Sequence, residues 1–187
     1  MNNKRSFFKE AIKNIKTSGS LVPSSRHLIK TILEDVDFNT AKVIVEFGPG
    51  NGIITHQILK KLNKNAVLIC FEVNLQFYEH LKQIDDDRLV VLNASAEEIK
   101  TELLKLNITT IDYCVSSLPL TNIPNVIAKN ILINTKEILK NGGGFHQYQY
   151  TLSFFKKIKN IFDKENVKIK FEALNFPPAF VYKCKKI

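Results

Sequence analysis

Four short apolar runs set the architecture of this chain: "KVIVEF" from Lys42, "AVLICFE" from Ala66, "RLVVLNA" from Arg88 and "IDYCVSS" from Ile111. Each is rich in Val and Ile and has the length of a strand buried on both faces. Between them apolar residues recur at helical spacing, first Ile53, Ile54, Ile58, Leu59 and Leu62, then Leu75, Phe77, Tyr78 and Leu81. "NVIAKNILINTKEILKNGGG" reads as a further helix, ended by Gly142 in the left-handed conformation. A fifth strand, "FHQYQY", follows. Then "VKIKFEALNF" and "AFVYKCK" flank two prolines and read as an antiparallel pair. Strands alternating with helices require right-handed crossovers, so the sheet is parallel, with helices on both faces. The expected fold is α/β and doubly wound, mostly parallel, with an antiparallel edge from the C-terminal hairpin. The 187 residues are expected to form a single domain: a basic amphipathic helical extension over 1–35 and an α/β core over 36–187.

The first turn of this pattern carries the most specific chemistry. Three of only 7 glycines, Gly48, Gly50 and Gly52, fall within "VEFGPGNG" directly behind the first strand. In an open α/β sheet ligands sit at the carboxyl ends of strands, and residues without Cβ let a ligand lie against the peptide groups. The G-x-G-x-G spacing is tighter than the dinucleotide fingerprint. Glu72 ends the second strand 20 residues beyond Gly52, where a carboxylate can accept hydrogen bonds from both hydroxyls of a ribose. Glu46 stands just before the loop, to orient it or to face a ligand ammonium group. Loop and acid together, inside a strand–helix–strand unit, point to an adenosine ligand, with Phe47 and Val73 counted among its contacts.

Here the chain resembles the class I S-adenosylmethionine-dependent methyltransferases: "VEFGPGNG" is similar to their first motif and "FEV" to their second-strand acid. The resemblance implies a Rossmann-like seven-stranded sheet and S-adenosyl-L-methionine as cofactor, its methyl group transferred by in-line displacement. It also places adenine at "NASAEEI", beside Ser95 and Ala96. Ser95 stands where many members carry an aspartate, so the contact is expected from its hydroxyl or the neighbouring backbone. The fourth strand ends in "DYCVSSLPLTNIP", which would set carbonyls and a hydroxyl beside the sulfonium and aim an acceptor amine. Ser116, Ser117 and Pro119 are the catalytic candidates, and Ser116 is also a cofactor contact. The plainer alternative is that Pro119 ends a buried strand while the serines cap the next helix.

Amino-adenine methyltransferases carry Asn-x-Pro-aromatic at this place. The sequence here is Ser117-Leu118-Pro119-Leu120, without the amide or the ring. "SSLPLTNIP", "GSLVPSSRHLIKTIL" and "NFPPAFVYKCKK" instead resemble bacterial phospholipid N-methyltransferases, which are similar in their core to rRNA adenine dimethyltransferases. Leu118, Tyr148 and Tyr150 are candidate lining of the acceptor pocket, where a methylated ammonium could rest on an aromatic face. Core packing is the alternative for at least one tyrosine. "SLVPSSR" is expected to start a helix with Ser24 or Ser25 near its N-cap.

A net charge of +9 favours anionic partners: nucleic acid, lipid headgroups or acidic small molecules. On a helix Phe7, Phe8, Ala11, Ile12 and Ile15 share one face, with Lys4, Lys9, Lys13 and Lys16 around the others. Such a helix can lie in an anionic membrane interface, or pack on the sheet with its lysines in water. No apolar stretch approaches the roughly 20 residues that span a bilayer, and "MNNKRSFFKEAIKNIK" lacks the apolar core of a secretory signal. A cytoplasmic protein, peripheral on the inner membrane face, is therefore expected. Cys70, Cys114 and Cys184 are far apart in the sequence and read as buried inert thiols, and the four histidines lack ligand spacing, so no metal is expected. The expected activity is N-methylation of a phospholipid amine such as phosphatidylethanolamine. The alternatives are methylation of rRNA adenine at N6 and a non-catalytic cofactor-binding module. The rRNA enzymes carry an additional C-terminal helical domain, which is not expected in a sequence ending at Ile187, just past the hairpin.

Overall fold

The structure is a computed structural model that describes residues 24–187. The amphipathic segment with Lys4, Phe7, Phe8, Lys9, Ala11, Ile12, Lys13, Ile15 and Lys16 lies outside the described residues.

Seven strands form one sheet in the order β3-β2-β1-β4-β5-β7-β6. They are β1 (Val43–Phe47), β2 (Val67–Phe71), β3 (Leu89–Leu92), β4 (Ile111–Ser116), β5 (Leu139–Gln149), β6 (Val167–Glu172) and β7 (Ala179–Lys185). The first five pair in parallel, while β7 runs antiparallel to both β5 and β6. The hairpin therefore does not simply extend the edge: β7 inserts beside β5, and β6, exposed along most of its length, becomes the edge strand.

Six described helices connect the strands: α1 (Arg26–Leu33), α2 (Ile53–Lys61), α3 (Leu75–Leu81), α4 (Ile99–Lys105), α5 (Asn125–Ile138) and α6 (Phe155–Phe162). Strand alternation divides the core into two layers. Val45 and Phe47 join Ile99, Leu103, Ile131 and Phe162 on the face covered by α4, α5 and α6. Ile44 joins Leu28, Ile32, Ile54 and Ile58 on the face covered by α1 and α2. Burial on both faces is why the parallel strands read as unbroken apolar runs.

Two boundaries differ from expectation. α1 is part of the core, with Leu28, Ile29, Ile32 and Leu33 all buried, so the core begins by Arg26 rather than at residue 36. Ser25 caps α1, its hydroxyl accepting from the Leu28 N–H at 3.2 Å. α5 ends at Ile138 with Leu139 as its C-cap, not at Gly142. Gly142 lies inside β5, where the pairing with β4 shifts register between Ile111 and Tyr113. Its positive φ serves that irregularity. "FKKIKNIF" forms α6, with Ile158 and Phe162 buried and Lys156 and Lys157 outward.

Candidate active site

The glycine turn and Glu72 are built into each other. The chain leaves β1 at Phe47, and the Gly48 N–H donates to the Phe71 carbonyl at 3.0 Å, carrying the turn toward the end of β2. Gly52 is the N-cap of α2 at φ 80°, and a Cβ there would stand 3.0 Å from Leu81 Cδ2. Gly50 also has positive φ, but its missing Cβ would meet nothing closer than Phe77 at 3.9 Å. The space a side chain would fill there is therefore open, which lets a ligand come close to the main chain.

Glu72, directly after β2 and only 5% exposed, aims into this turn. Its Oε2 accepts from the Gly50 N–H at 3.1 Å and its Oε1 from the Asn74 N–H at 2.7 Å. A carboxylate offers about four acceptor positions, so accepting from these backbone N–H groups does not of itself preclude accepting from a ribose. Asn74 caps α3 through the Phe77 N–H, and Asn93 donates to the Glu72 carbonyl at 2.9 Å, linking the ends of β2 and β3.

Glu46 is fully buried on the α2 side of β1, where its Oε2 accepts from the Thr55 hydroxyl at 2.7 Å and Cys70 Sγ lies 3.5 Å away. Its Oε1 is buried without a hydrogen-bond partner among the described residues. Burial lifts the carboxyl to about 7, with the nearby Glu72 charge adding to the rise, against the two side-chain hydrogen bonds. Through Thr55, Glu46 ties β1 to α2 beneath the loop.

Several expected contacts require correction. Phe47 is fully buried, edge-on to Phe71 at 5.5 Å, and its carbonyl is taken by the Ser117 N–H at 3.0 Å, so its side chain faces the core rather than a ligand. The Ser116 hydroxyl is likewise fully buried, 3.4 Å from the Leu118 N–H it accepts; it shapes the turn and does not reach an acceptor. Leu118 is 4% exposed, with Cδ2 packed under Gly48, so its side chain does not line an acceptor pocket. Tyr148, on β5, packs against the core on the α1 side, and Tyr150, exposed just past the strand, stands edge-on to it with ring centroids 5.8 Å apart. Burial and the neighbouring Tyr148 push the Tyr150 phenol up to about 12. Ser95 heads a capping box: its hydroxyl accepts from the Glu97 N–H and its own N–H donates to Glu98. The Ser95 N–H is therefore unavailable to adenine, leaving the hydroxyl hydrogen, with Ala96 buried beside it. Val73 is half-buried and packs against the core next to Glu72. Ser117 and Pro119, both half-buried at the end of β4, remain at the mouth.

The sequence reading missed two glutamines. Gln147 and Gln149, both buried, each donate Nε2 to the Leu118 carbonyl, at 3.0 and 2.7 Å. Alternate residues of a strand share a face, so "FHQYQY" contained the signal: two glutamines at period two on a buried strand. They fix the Ser117–Leu120 turn from below.

A glycine cradle, an inward-aimed acid at the end of the second strand and a clamped turn after the fourth now stand together at the carboxyl edge. Residues 14–170 match the family model described as ribosomal RNA adenine dimethylase. The chain belongs to the ribosomal RNA adenine dimethylase family. It is an S-adenosylmethionine-dependent methyltransferase. Within and around this dimethylase family, the chain is 28% identical over 170 residues to an ornithine lipid N-methyltransferase of Singulisphaera acidiphila, covering 90% of this chain and 88% of that one. It is 33% identical over 116 residues to ribosomal RNA small subunit methyltransferase A of Mycoplasma mycoides, covering 62% of this chain and 41% of that protein. Among solved structures, N-methyltransferase NodS of Bradyrhizobium japonicum, in complex with S-adenosyl-L-homocysteine, shares the fold at a TM-score of 0.71 with 8% identity, over 96% of this chain and 98% of that one.

Proposed function

We propose that this member of the dimethylase family methylates the headgroup amine of a lipid, phosphatidylethanolamine or a similar amino lipid, at an anionic membrane surface. When bound, S-adenosylmethionine supplies a methyl carbon activated by the sulfonium. The chain's own part is to hold the adenosine and to aim the amine. In this reading the Gly48–Gly52 peptides and Glu72 receive the adenosine, Val73 and the Ser95–Ala96 segment border its base, and Ser117 with the Leu118–Pro119 turn orients the acceptor nitrogen. Gln147 and Gln149 act through the Leu118 carbonyl as positioning residues.

The observation that carries the lipid reading is the reach of the lipid relative, which aligns over 90% of this chain and 88% of its own length. The turn after β4 supports it. The Asn-x-Pro-aromatic turn of amino-adenine methyltransferases offers an amide and a ring to read and stack a flipped base, whereas the turn here has Ser117 and Leu120 at those places, and Leu120 is fully buried. In this reading the chain sits on the cytoplasmic membrane face, attached through Lys4, Lys9, Lys13 and Lys16 with Phe7, Phe8, Ile12 and Ile15; no described helix is long and apolar enough to cross a membrane. A second reading, methylation of rRNA adenine, is favoured by the 33% identity to the Mycoplasma mycoides enzyme.

The test is a methyl-transfer assay with labelled S-adenosylmethionine, run in parallel on anionic vesicles containing phosphatidylethanolamine or ornithine lipid and on small-subunit rRNA. Label is expected in the lipid. Label in the RNA alone overturns the proposal, and saturable cofactor binding with no transfer to either supports a non-catalytic module.

A further inference from the structure

The carboxyl edge of the sheet carries an apolar rim around the mouth. Leu75 opens α3, Val126 opens α5, and Tyr150 and Leu152 follow β5; all four are exposed. β6 runs parallel to β5 through β7, so the β6–β7 turn reaches the same edge, with Leu174 69% and Phe176 81% exposed. These two are held out on a fixed base. Asn175 between them is buried, accepts from the Ser25 N–H at 3.0 Å and donates to the Pro177 carbonyl at 2.7 Å, which ties the turn to the start of α1.

Exposed cations predominate at this edge. Arg26, Lys129, Lys156 and Lys157 are exposed in the opening turns of α1, α5 and α6. Most acids here are engaged by the protein: Glu72 by the Gly50 and Asn74 N–H groups, Glu97 by the Asn130 amide, Glu98 by the Ser95 N–H, and Glu172 by the Thr31 hydroxyl and the Leu174 N–H, while the exposed Glu79 of α3 pairs with Lys82. Exposed apolar side chains ringed by cations match a bilayer with anionic headgroups, where the chains are buried and the cations stay among the phosphates. Four of the six rim residues are aliphatic, which suits acyl chains better than bases, whose recognition depends on aromatic stacking.

We infer that this rim is the membrane-docking face, with Leu174 and Phe176 inserted at the headgroup–acyl boundary and the mouth opening directly onto the lipid amines. The inference rests on the lipid reading and specifies how the enzyme sits on its substrate. It is separate from attachment by the N-terminal segment, which would tether the chain without fixing which edge faces the bilayer.

The chain has no tryptophan, so a Phe176→Trp variant of the full chain carries a single reporter. With anionic vesicles its emission should shift to the blue and be quenched by acyl-brominated lipid, while a Leu104→Trp variant, at the opposite end of α4, should not respond. Equal responses, or none at position 176, overturn the docking face; a response at 176 to RNA but not to vesicles overturns the lipid reading as well. A Leu174→Ser/Phe176→Ser double variant should partition onto vesicles roughly tenfold or more weakly yet methylate amino lipid in detergent micelles as the unmodified chain does. If micellar lipid is methylated but the double variant binds vesicles normally, the docking face alone fails. If no lipid amine is methylated in either form, the lipid reading falls and the rim proposal with it.

Discussion

Glu46 makes stability depend on pH in a way that can be worked out from its surroundings. Its carboxyl is fully buried and lifted from 4.5 to about 7, chiefly by loss of water. In the unfolded chain it ionises near 4.5, so between 4.5 and 7 the unfolded state releases a proton that the folded state keeps. Stability from this group is therefore full below pH 4.5 and is lost as pH rises through 7. Each pH unit in that window is worth about 1.4 kcal/mol, giving about 3 kcal/mol in all. His146 works in the opposite sense. Burial lowers its imidazole to about 4, partly offset by the 2.7 Å hydrogen bond between Nδ1 and the Ile32 carbonyl. Its contribution is present above pH 6.5 and is lost as pH falls through 4, again by about 3 kcal/mol. The two slopes nearly cancel in the natural chain over this range. Glu46→Gln keeps an acceptor for Thr55 but removes the charge, so it unmasks the histidine. Urea unfolding at intervals from pH 4 to 8 should show the variant gaining about 3 kcal/mol relative to the natural chain as pH rises. A difference that stays constant across this range refutes the assignment of a buried, neutral Glu46.

Replacing His146 by Phe should give the complementary result, the variant gaining about 3 kcal/mol relative to the natural chain as pH falls from 6.5 to 4 in the same urea series. Gly52→Ala meets both a φ of 80° and a Cβ contact of 3.0 Å with Leu81. It should lower the unfolding free energy by about 1–2 kcal/mol and weaken S-adenosylmethionine binding in calorimetry; an unchanged affinity would mean the turn is not part of the cofactor site. Gln149→Leu removes one of the two donors on the Leu118 carbonyl. It should depress kcat while leaving cofactor affinity close to unchanged, as a residue that positions the acceptor turn would.

The layered core was legible because burial on both faces leaves a compositional mark: unbroken Val/Ile runs at β1, β2, β3 and β4 allow little else. The glycine turn and Glu72 were legible because their spacing answers a backbone requirement. What the sequence hid was direction. Phe47, Ser116 and Leu118 stand beside the mouth along the chain, yet each side chain turns into the core, and proximity to a strand end does not specify a face. The capping box at Ser95 was written in the sequence as Ser-x-x-Glu, but the methyltransferase resemblance drew attention to adenine instead. Gly142 misled because a glycine behind a helical pattern usually ends the helix, whereas here β5 begins first and the glycine eases its register shift against β4. The clamp on Leu118 by Gln147 and Gln149 depends on contact between β5 and the turn after β4, which only the folded chain provides.

Calorimetric titration of S-adenosylmethionine into the natural chain and into Glu72→Ala bears most directly on the proposal that the glycine turn and the second-strand acid hold the adenosine. The natural chain should bind saturably with one site per chain. The variant, verified as folded by its circular dichroism, should bind at least about 30-fold more weakly, the loss expected when charged hydrogen bonds to a ribose are removed. Equal affinity in the two proteins would contradict the account.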